Sequence, residues 1–136
     1  MDIKSTITII MTCCNRADKT KKCLESLDSD AIDMNYIVVD DGSSDGTSEV
    51  LRSFAEEKHR EMELLNGDGK LFWSGGMRCA MNVALGREKE TDYVLLVNDD
   101  VEFYEATVER MVTMAVLNPG YCISGATCDK NGKRTY

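Results

Sequence analysis

The chain has 136 residues, 43% of them apolar and 29% charged, with a formal net charge of −8. That length supports one domain with its own core, and that composition excludes a disordered chain. The acidic balance excludes a basic grip on a nucleic-acid backbone, and no stretch approaches the ~20 apolar residues of a membrane span.

The first element in chain order is a strand over residues 6–12, free of charge and rich in branched side chains. Its short apolar run reads as a strand and not as a signal peptide. A helix follows over residues 16–27, with Ala17, Cys23, Leu24 and Leu27 compatible with one face. Residues 36–39 form a second strand, apolar on both faces, as in parallel sheets covered on both sides. It runs into the turn Asp40-Asp41-Gly42-Ser43-Ser44-Asp45-Gly46. A helix through Val50, Leu51 and Phe54 comes next, capped by Asp45 or Thr47. His59 belongs to its charged end and reads as a plain surface residue.

A short third strand is expected at residues 63–66, before the turn Asn66-Gly67-Asp68-Gly69. Ser74 is then expected to cap a helix in which Met77, Ala80, Met81, Ala84 and Leu85 repeat at helical spacing. Trp73, just before it, reads more readily as core or staple packing than as a stacking platform. A fourth strand covers residues 93–97 and ends in Asn98-Asp99-Asp100. A last helix carries Val108, Met111, Val112 and Ala115 and stops at Asn118-Pro119-Gly120. A final strand is expected over residues 121–126, weakened by Gly125. Asn131-Gly132 signals a hairpin with only Lys133 to Tyr136 left to return, so the natural protein is expected to continue past Tyr136.

Alternating strands and helices predict an α/β domain with a mostly parallel sheet, whose ligands bind at the carboxyl ends of the strands. The polar motifs fall at those ends. Two acidic pairs, Asp40 with Asp41 and Asp99 with Asp100, would crowd one edge if their strands are neighbours. Such crowding needs a counter-charge: a proton, a basic residue, a hydrogen-bonded nucleoside or a hard cation such as Mg²⁺ or Mn²⁺. Asp40 reads equally well as a turn-capping acid pointing into the sheet. Thr12, Asn15 and Arg16 follow the first strand, where short polar groups suit a base or ribose and Arg16 suits a phosphate or plain solvent. Ser74-Gly75-Gly76 leads into a helix whose free N–H groups favour an anion. Arg78 and Asn82, spaced i, i+4, flank that end. The six cysteines, at 13, 14, 23, 79, 122 and 128, have no CxxC spacing, and His59 is the only histidine, a poor zinc set. Reduced cysteines and a cytoplasmic compartment are expected.

These blocks resemble the family 2 glycosyltransferases of the GT-A fold, over almost the whole chain. Thr12-Cys13-Cys14-Asn15-Arg16 is similar to the family's first-strand nucleotide motif, and residues 38–47 to its most recognisable block. Asn98-Asp99-Asp100 stands where the metal-binding motif should be, although it reads Asn-Asp-Asp and not Asp-x-Asp. Residues 71–77 with Asn82 resemble the rhamnosyltransferase-like branch. The resemblance implies a Rossmann-like three-layer sandwich and a nucleotide-diphospho-sugar donor held with Mn²⁺ or Mg²⁺. In that reading Asp41 meets a uracil or thymine edge with Thr12 nearby, Asp99 contacts ribose or sugar, Asp100 ligates the metal, and Arg78 and Asn82 help hold the donor. It further implies a mostly inverting transfer to a glycan or lipid-linked acceptor, as in polysaccharide biosynthesis, cytoplasmic or at the inner face of a membrane. The family's general base lies in a second half, expected beyond Tyr136. The chain alone is therefore expected to bind donor and transfer little or no sugar.

Other readings of the same residues remain. A nucleotidyltransferase also uses metal-bound carboxylates, but residues 11–16 lack the glycines of its first loop. A receiver-like signalling module fits the length, but its first strand should end in acids and this one ends in Thr12-Cys13-Cys14. A partner-binding fragment without activity is the third.

Overall fold

The computed structural model describes residues 5–135. Eight elements alternate: β1 Thr6–Cys13, α1 Ala17–Leu27, β2 Asp33–Asp40, α2 Thr47–Lys58, β3 Glu61–Asn66, α3 Phe72–Gly86, β4 Tyr93–Asn98 and α4 Thr107–Leu117. The four strands form one sheet in the order β3-β2-β1-β4, and every pairing is parallel. The expected α/β architecture is therefore what forms.

Strand alternation sorts the apolar side chains into two layers. Ile7, Ile9, Met11, Tyr36, Val38 and Val97 face α1, α2 and α4, meeting Cys23, Leu24, Leu51, Phe54 and Val108. Ile10, Ile37 and Val39 face the other way, against Met77 and Ala80 of α3. One sheet between two helical layers is the three-layer sandwich. It explains why β1 and β2 are buried on both faces: they are the central strands and are covered twice.

Several expectations need correction. The N-cap of α2 is Gly46, with no side-chain cap bond, and not Asp45 or Thr47, and β3 begins at Glu61 and not at residue 63. β2 begins at Asp33, before the expected Tyr36, because Met34 and Asn35 are buried and paired with β1. α3 begins at Phe72, so Ser74 is not its cap; the N-cap position is Leu71, and Ser74 lies in the first turn. Residues 121–126 form no strand, and the bridge Cys128↔Arg134 closes a small antiparallel hairpin instead. Gly132 (φ +77) supplies the left-handed turn that the Asn-Gly signal demanded. Tyr136, at the end of the returning segment, lies outside the described residues.

A second polar network sits on the helix-paired face. Tyr36 donates its hydroxyl to Asp28 Oδ1 at 2.8 Å, and Arg60 grips Asp28 through Nε at 2.8 Å and Nη2 at 3.1 Å. Asp28 and Arg60 are nearly buried, and burial pushes the Tyr36 phenol up. Among the described residues no buried side-chain nitrogen or oxygen lacks a hydrogen-bond partner.

Candidate functional site: a cleft at the strand ends

The register aligns the carboxyl ends of the strands. Thr12 is level with Val39 and Asn98, and Asp40 with Cys13 and Asn66. The order 3-2-1-4 places a switch point between β1, whose chain continues toward β2, and β4, which lies on its other side; ligands bind in such crevices. A cleft of about 400 Å³ opens there, lined by Thr12, Cys13, Cys14, Arg16, Asp41, Gly69, Phe72, Trp73, Asn98, Asp99 and Asp100.

Of the residues singled out in the sequence, Thr12, Arg16, Asp41, Asp99 and Asp100 thus share one wall-to-wall space. Asn15, Ser74, Gly75, Gly76, Arg78 and Asn82 do not line it. Asn15, in a left-handed turn (φ +50), accepts the amide N–H of Ser44 at 2.8 Å, and its own amide N–H donates to Ser43 Oγ at 2.9 Å. It braces the loop after β2. Arg78 and Asn82 are exposed on α3. Gly76 packs on the cleft from behind: a Cβ there would lie 2.2 Å from Thr12 Oγ1. It is glycine because α3 crosses β1 at that point.

The two acidic pairs divide their labour. Asp40 is buried and satisfied locally, accepting the amide N–H of Ser43 at 3.0 Å and the hydroxyl of Ser48. Asp45 accepts the Thr47 hydroxyl and the amide N–H groups of Ala17 and Thr47, each amide at 3.1 Å, and these bonds, the hydroxyl's foremost, hold its carboxyl below the usual range. The most family-like block is therefore largely a knot joining β2, α1 and α2. Asp41 faces the cleft. Its Oδ1 accepts from the Gly69 amide at 2.8 Å and its Oδ2 from the Phe72 amide at 3.0 Å. Phe72 is the first residue of α3, so the anion-receptive helix end expected near Ser74-Gly75-Gly76 already holds an anion, the Asp41 carboxylate. The Gly75 amide is spent on Leu71 O at 3.0 Å.

At the other end of the cleft, Arg16 Nη1 stands 3.2 Å from Asp99 Oδ1 and 3.2 Å from Asp100 Oδ2. Asp99 is buried and Asp100 half-exposed. Burial pushes the Asp99 carboxyl above the usual range, Asp100 adds to this, and Arg16 and the Thr20 hydroxyl oppose it. Burial likewise raises the Cys13 and Cys14 thiols, with neighbouring aspartates adding to the effect, so both stay protonated.

Among the described residues no group of three or more His, Cys, Asp or Glu side chains surrounds a metal position. The donor set nonetheless fits a hard divalent cation. Two adjacent carboxylates share one positive charge from Arg16, and a Mg²⁺-like ion is usually held by one or two carboxylates, with water and phosphate completing its shell.

Trp73 departs from its expected place. It is 55% exposed, lines the cleft, and donates its indole N–H to Asn98 Oδ1 at 2.8 Å. The sequence pattern hides this role, because a cap at Ser74 places the helix start three residues too late and leaves Trp73 outside the helix, free to pack inward.

Comparison with known proteins agrees with this geometry. A glycosyltransferase from Streptococcus pneumoniae, GlyA, is 28% identical over 127 residues, covering 87% of this chain but 17% of GlyA. A mannosyltransferase from Pyrobaculum calidifontis, solved with GDP-Man and Mn²⁺, superposes with a TM-score of 0.68 at 23% identity, over 87% of this chain and 34% of that one. TarS from S. aureus superposes with a TM-score of 0.63 at 23% identity, over 82% of this chain and 32% of that one. The chain thus spans about a sixth of the curated relative and a third of these structures. The Glycosyl transferase family 2 profile matches residues 8–135. With that profile covering nearly every described residue and the acidic motifs gathered at one sheet edge, the chain belongs to glycosyl transferase family 2.

Proposed function

We propose that the chain is the donor-binding portion of a metal-dependent, inverting hexosyltransferase, which takes a UDP- or dTDP-sugar and serves a glycan or lipid-linked acceptor in cytoplasmic polysaccharide biosynthesis. The observation that carries the reading is the meeting of Asp41 and the Asp99–Asp100 pair in one cleft. The cleft has a base end and a phosphate end. At the first, Asp41 keeps acceptor capacity beyond its two backbone bonds, since a carboxylate offers about four lone-pair sites. It can take the N–H of a pyrimidine edge, with Thr12 beside it. At the second, Asp99 meets ribose or sugar hydroxyls, and Asp100 would hold Mn²⁺ or Mg²⁺. A bound divalent cation neutralises charge developing on the leaving diphosphate. Arg16, freed from the acids, is then within the same cleft to meet a phosphate. No helix among the described residues is long and apolar enough to cross a membrane.

In the reaction an acceptor hydroxyl oxygen forms a bond to the anomeric carbon. The bond from that carbon to the diphosphate oxygen breaks, and the hydroxyl proton passes to a base. The acids of the cleft are poor candidates for that base. Asp41 is tied to two amides, and Asp99 to Arg16 and Thr20. The base is therefore expected from polypeptide beyond Tyr136, and the 136 residues alone should bind donor with little or no transfer.

Calorimetry with UDP, dTDP and GDP, with and without Mn²⁺, tests this. Metal-dependent binding of one nucleotide is the expected result. Absence of binding for all three in the presence of Mn²⁺ would defeat the reading.

A further inference from the structure

Two aromatic residues stand at the mouth of the cleft, and neither is spent on the core. Phe72 is 75% exposed and Trp73 55%. Bulky side chains normally leave water when packing space exists, so an exposed aromatic pair beside a cleft calls for an account. The backbone sharpens the point. Phe72 adopts φ +54, a left-handed conformation that a bulky side chain rarely takes. That conformation persists because the Asp41 carboxylate holds the Phe72 amide at 3.0 Å. One residue on, the Trp73 indole is fastened by Asn98 Oδ1 at 2.8 Å. The two side chains that fix this segment thus come from the residue just after β2 and the last residue of β4, both at the cleft. Strain held in place by groups on either side of a site is a mark of a positioned functional segment.

Resting on the donor-binding reading above, we infer that Trp73 is the platform on which the donor's sugar ring lies. Trp73 lines the same cleft as Asp41, Asp99 and Asp100, and its indole is fastened by Asn98, the residue before Asp99. In the donor-binding reading the base and the diphosphate have polar partners in Asp41 and the Asp99–Asp100 pair, so the sugar is the part left for an apolar surface. A pyranose presents one face made mainly of C–H groups, which packs against an aromatic ring while its hydroxyls remain free for polar partners. An indole locked by its own N–H loses little further freedom on contact, so the stack starts from an ordered surface. Asn98 is then a positioning residue, acting on the sugar only through Trp73.

Trp73 is the only tryptophan of the chain, so its fluorescence reports this one position. With Mn²⁺ present, UDP-GlcNAc or GDP-mannose should change the emission of the chain clearly more than UDP or GDP alone. Trp73→Ala should weaken the sugar nucleotide by about tenfold in calorimetry and the matching nucleoside diphosphate by less than about twofold. Trp73→Phe keeps a ring and should stay within about threefold of the parent for both. Asn98→Leu should broaden the emission and weaken the sugar nucleotide selectively. Equal weakening of nucleotide and sugar nucleotide by Trp73→Ala, in a variant whose melting temperature matches the parent, would overturn the sugar platform and leave donor binding standing. Failure of the parent chain to bind any of the four ligands would instead overturn the donor reading, and the platform with it.

Discussion

The amide N–H of Phe72 donates to Asp41 Oδ2 at 3.0 Å, so the first residue of α3 is fixed by the first acid after β2. The partner oxygen accepts from Gly69 at 2.8 Å. Asp41→Asn replaces one acceptor by a donor facing another donor. The expected cost is about 1 kcal/mol, because the amide left without a partner is only part-buried and can reach water. Hydrogen exchange at the Gly69 and Phe72 amides should quicken in the variant; parent-like protection at both would contradict the assignment.

Arg16 stabilises two neighbouring acids, one of them buried. The folded-state pKa of Asp99 is raised by burial, so the folded chain holds this proton more tightly than the unfolded chain. That contribution favours folding at acid pH and is lost as pH rises through the folded pKa. Arg16 opposes the shift, and its removal enlarges it. Arg16→Ala should therefore approach the parent's melting temperature at acid pH, where Asp99 is protonated in both states. At higher pH it should fall behind, by about 1–2 kcal/mol at neutral pH, a figure discounted because Arg16 is half-exposed. Thermal melts across pH 3 to 8 check this, and a gap independent of pH would refute it.

Gly76 and Gly86 make a matched pair within α3. A methyl group at Gly76 would meet Thr12 Oγ1 at 2.2 Å and Thr12 Cβ at 2.7 Å, whereas one at Gly86 meets nothing within 4 Å. Gly76→Ala should cost about 1–3 kcal/mol and displace Thr12 from the cleft wall. Gly86→Ala should be neutral or stabilise by up to about 1 kcal/mol, because alanine restricts the unfolded chain. Urea titration of both variants gives the comparison, and equal midpoints would show that α3 does not press on β1 as described.

Asp28 ties Tyr36 and Arg60 together away from the cleft. Asp28→Ala removes the buried partner of the Arg60 guanidinium, leaving it Ser29 O and the exposed Asp30 carboxylate, and should cost roughly 2–3 kcal/mol. Tyr36→Phe removes one hydrogen bond and should cost about 1 kcal/mol. Nucleotide binding by any folded fraction should be unchanged in both, which calorimetry can establish.

Much of this architecture was legible in residue order. The uncharged, branched run at 6–12 predicted a strand, the apolar run at 36–39 predicted a parallel strand covered on both faces, and acids at strand ends predicted a site at the carboxyl rim. The misreadings have physical causes. Asn35 lengthens β2 because Thr8 and Arg87, distant in sequence, hydrogen-bond its side-chain oxygen inside the sandwich. The start of α3 was misplaced because its N-terminus is satisfied by Asp41, thirty-one residues earlier, and not by a local cap. The roles of Asn15 and Arg16 were also opaque, since each is set by a partner from another loop.

The loop between β2 and α2 carries one further consequence. Its spelling is what makes such chains easy to recognise, yet Asp40, Ser43, Ser44 and Asp45 are spent on joining secondary-structure elements. Selection for a foldable scaffold alone would preserve those letters. A descendant that had lost its chemistry could keep the whole signature, so under the donor-binding proposal it is divergence at Asp41, Trp73 and Asp100 that would report lost activity.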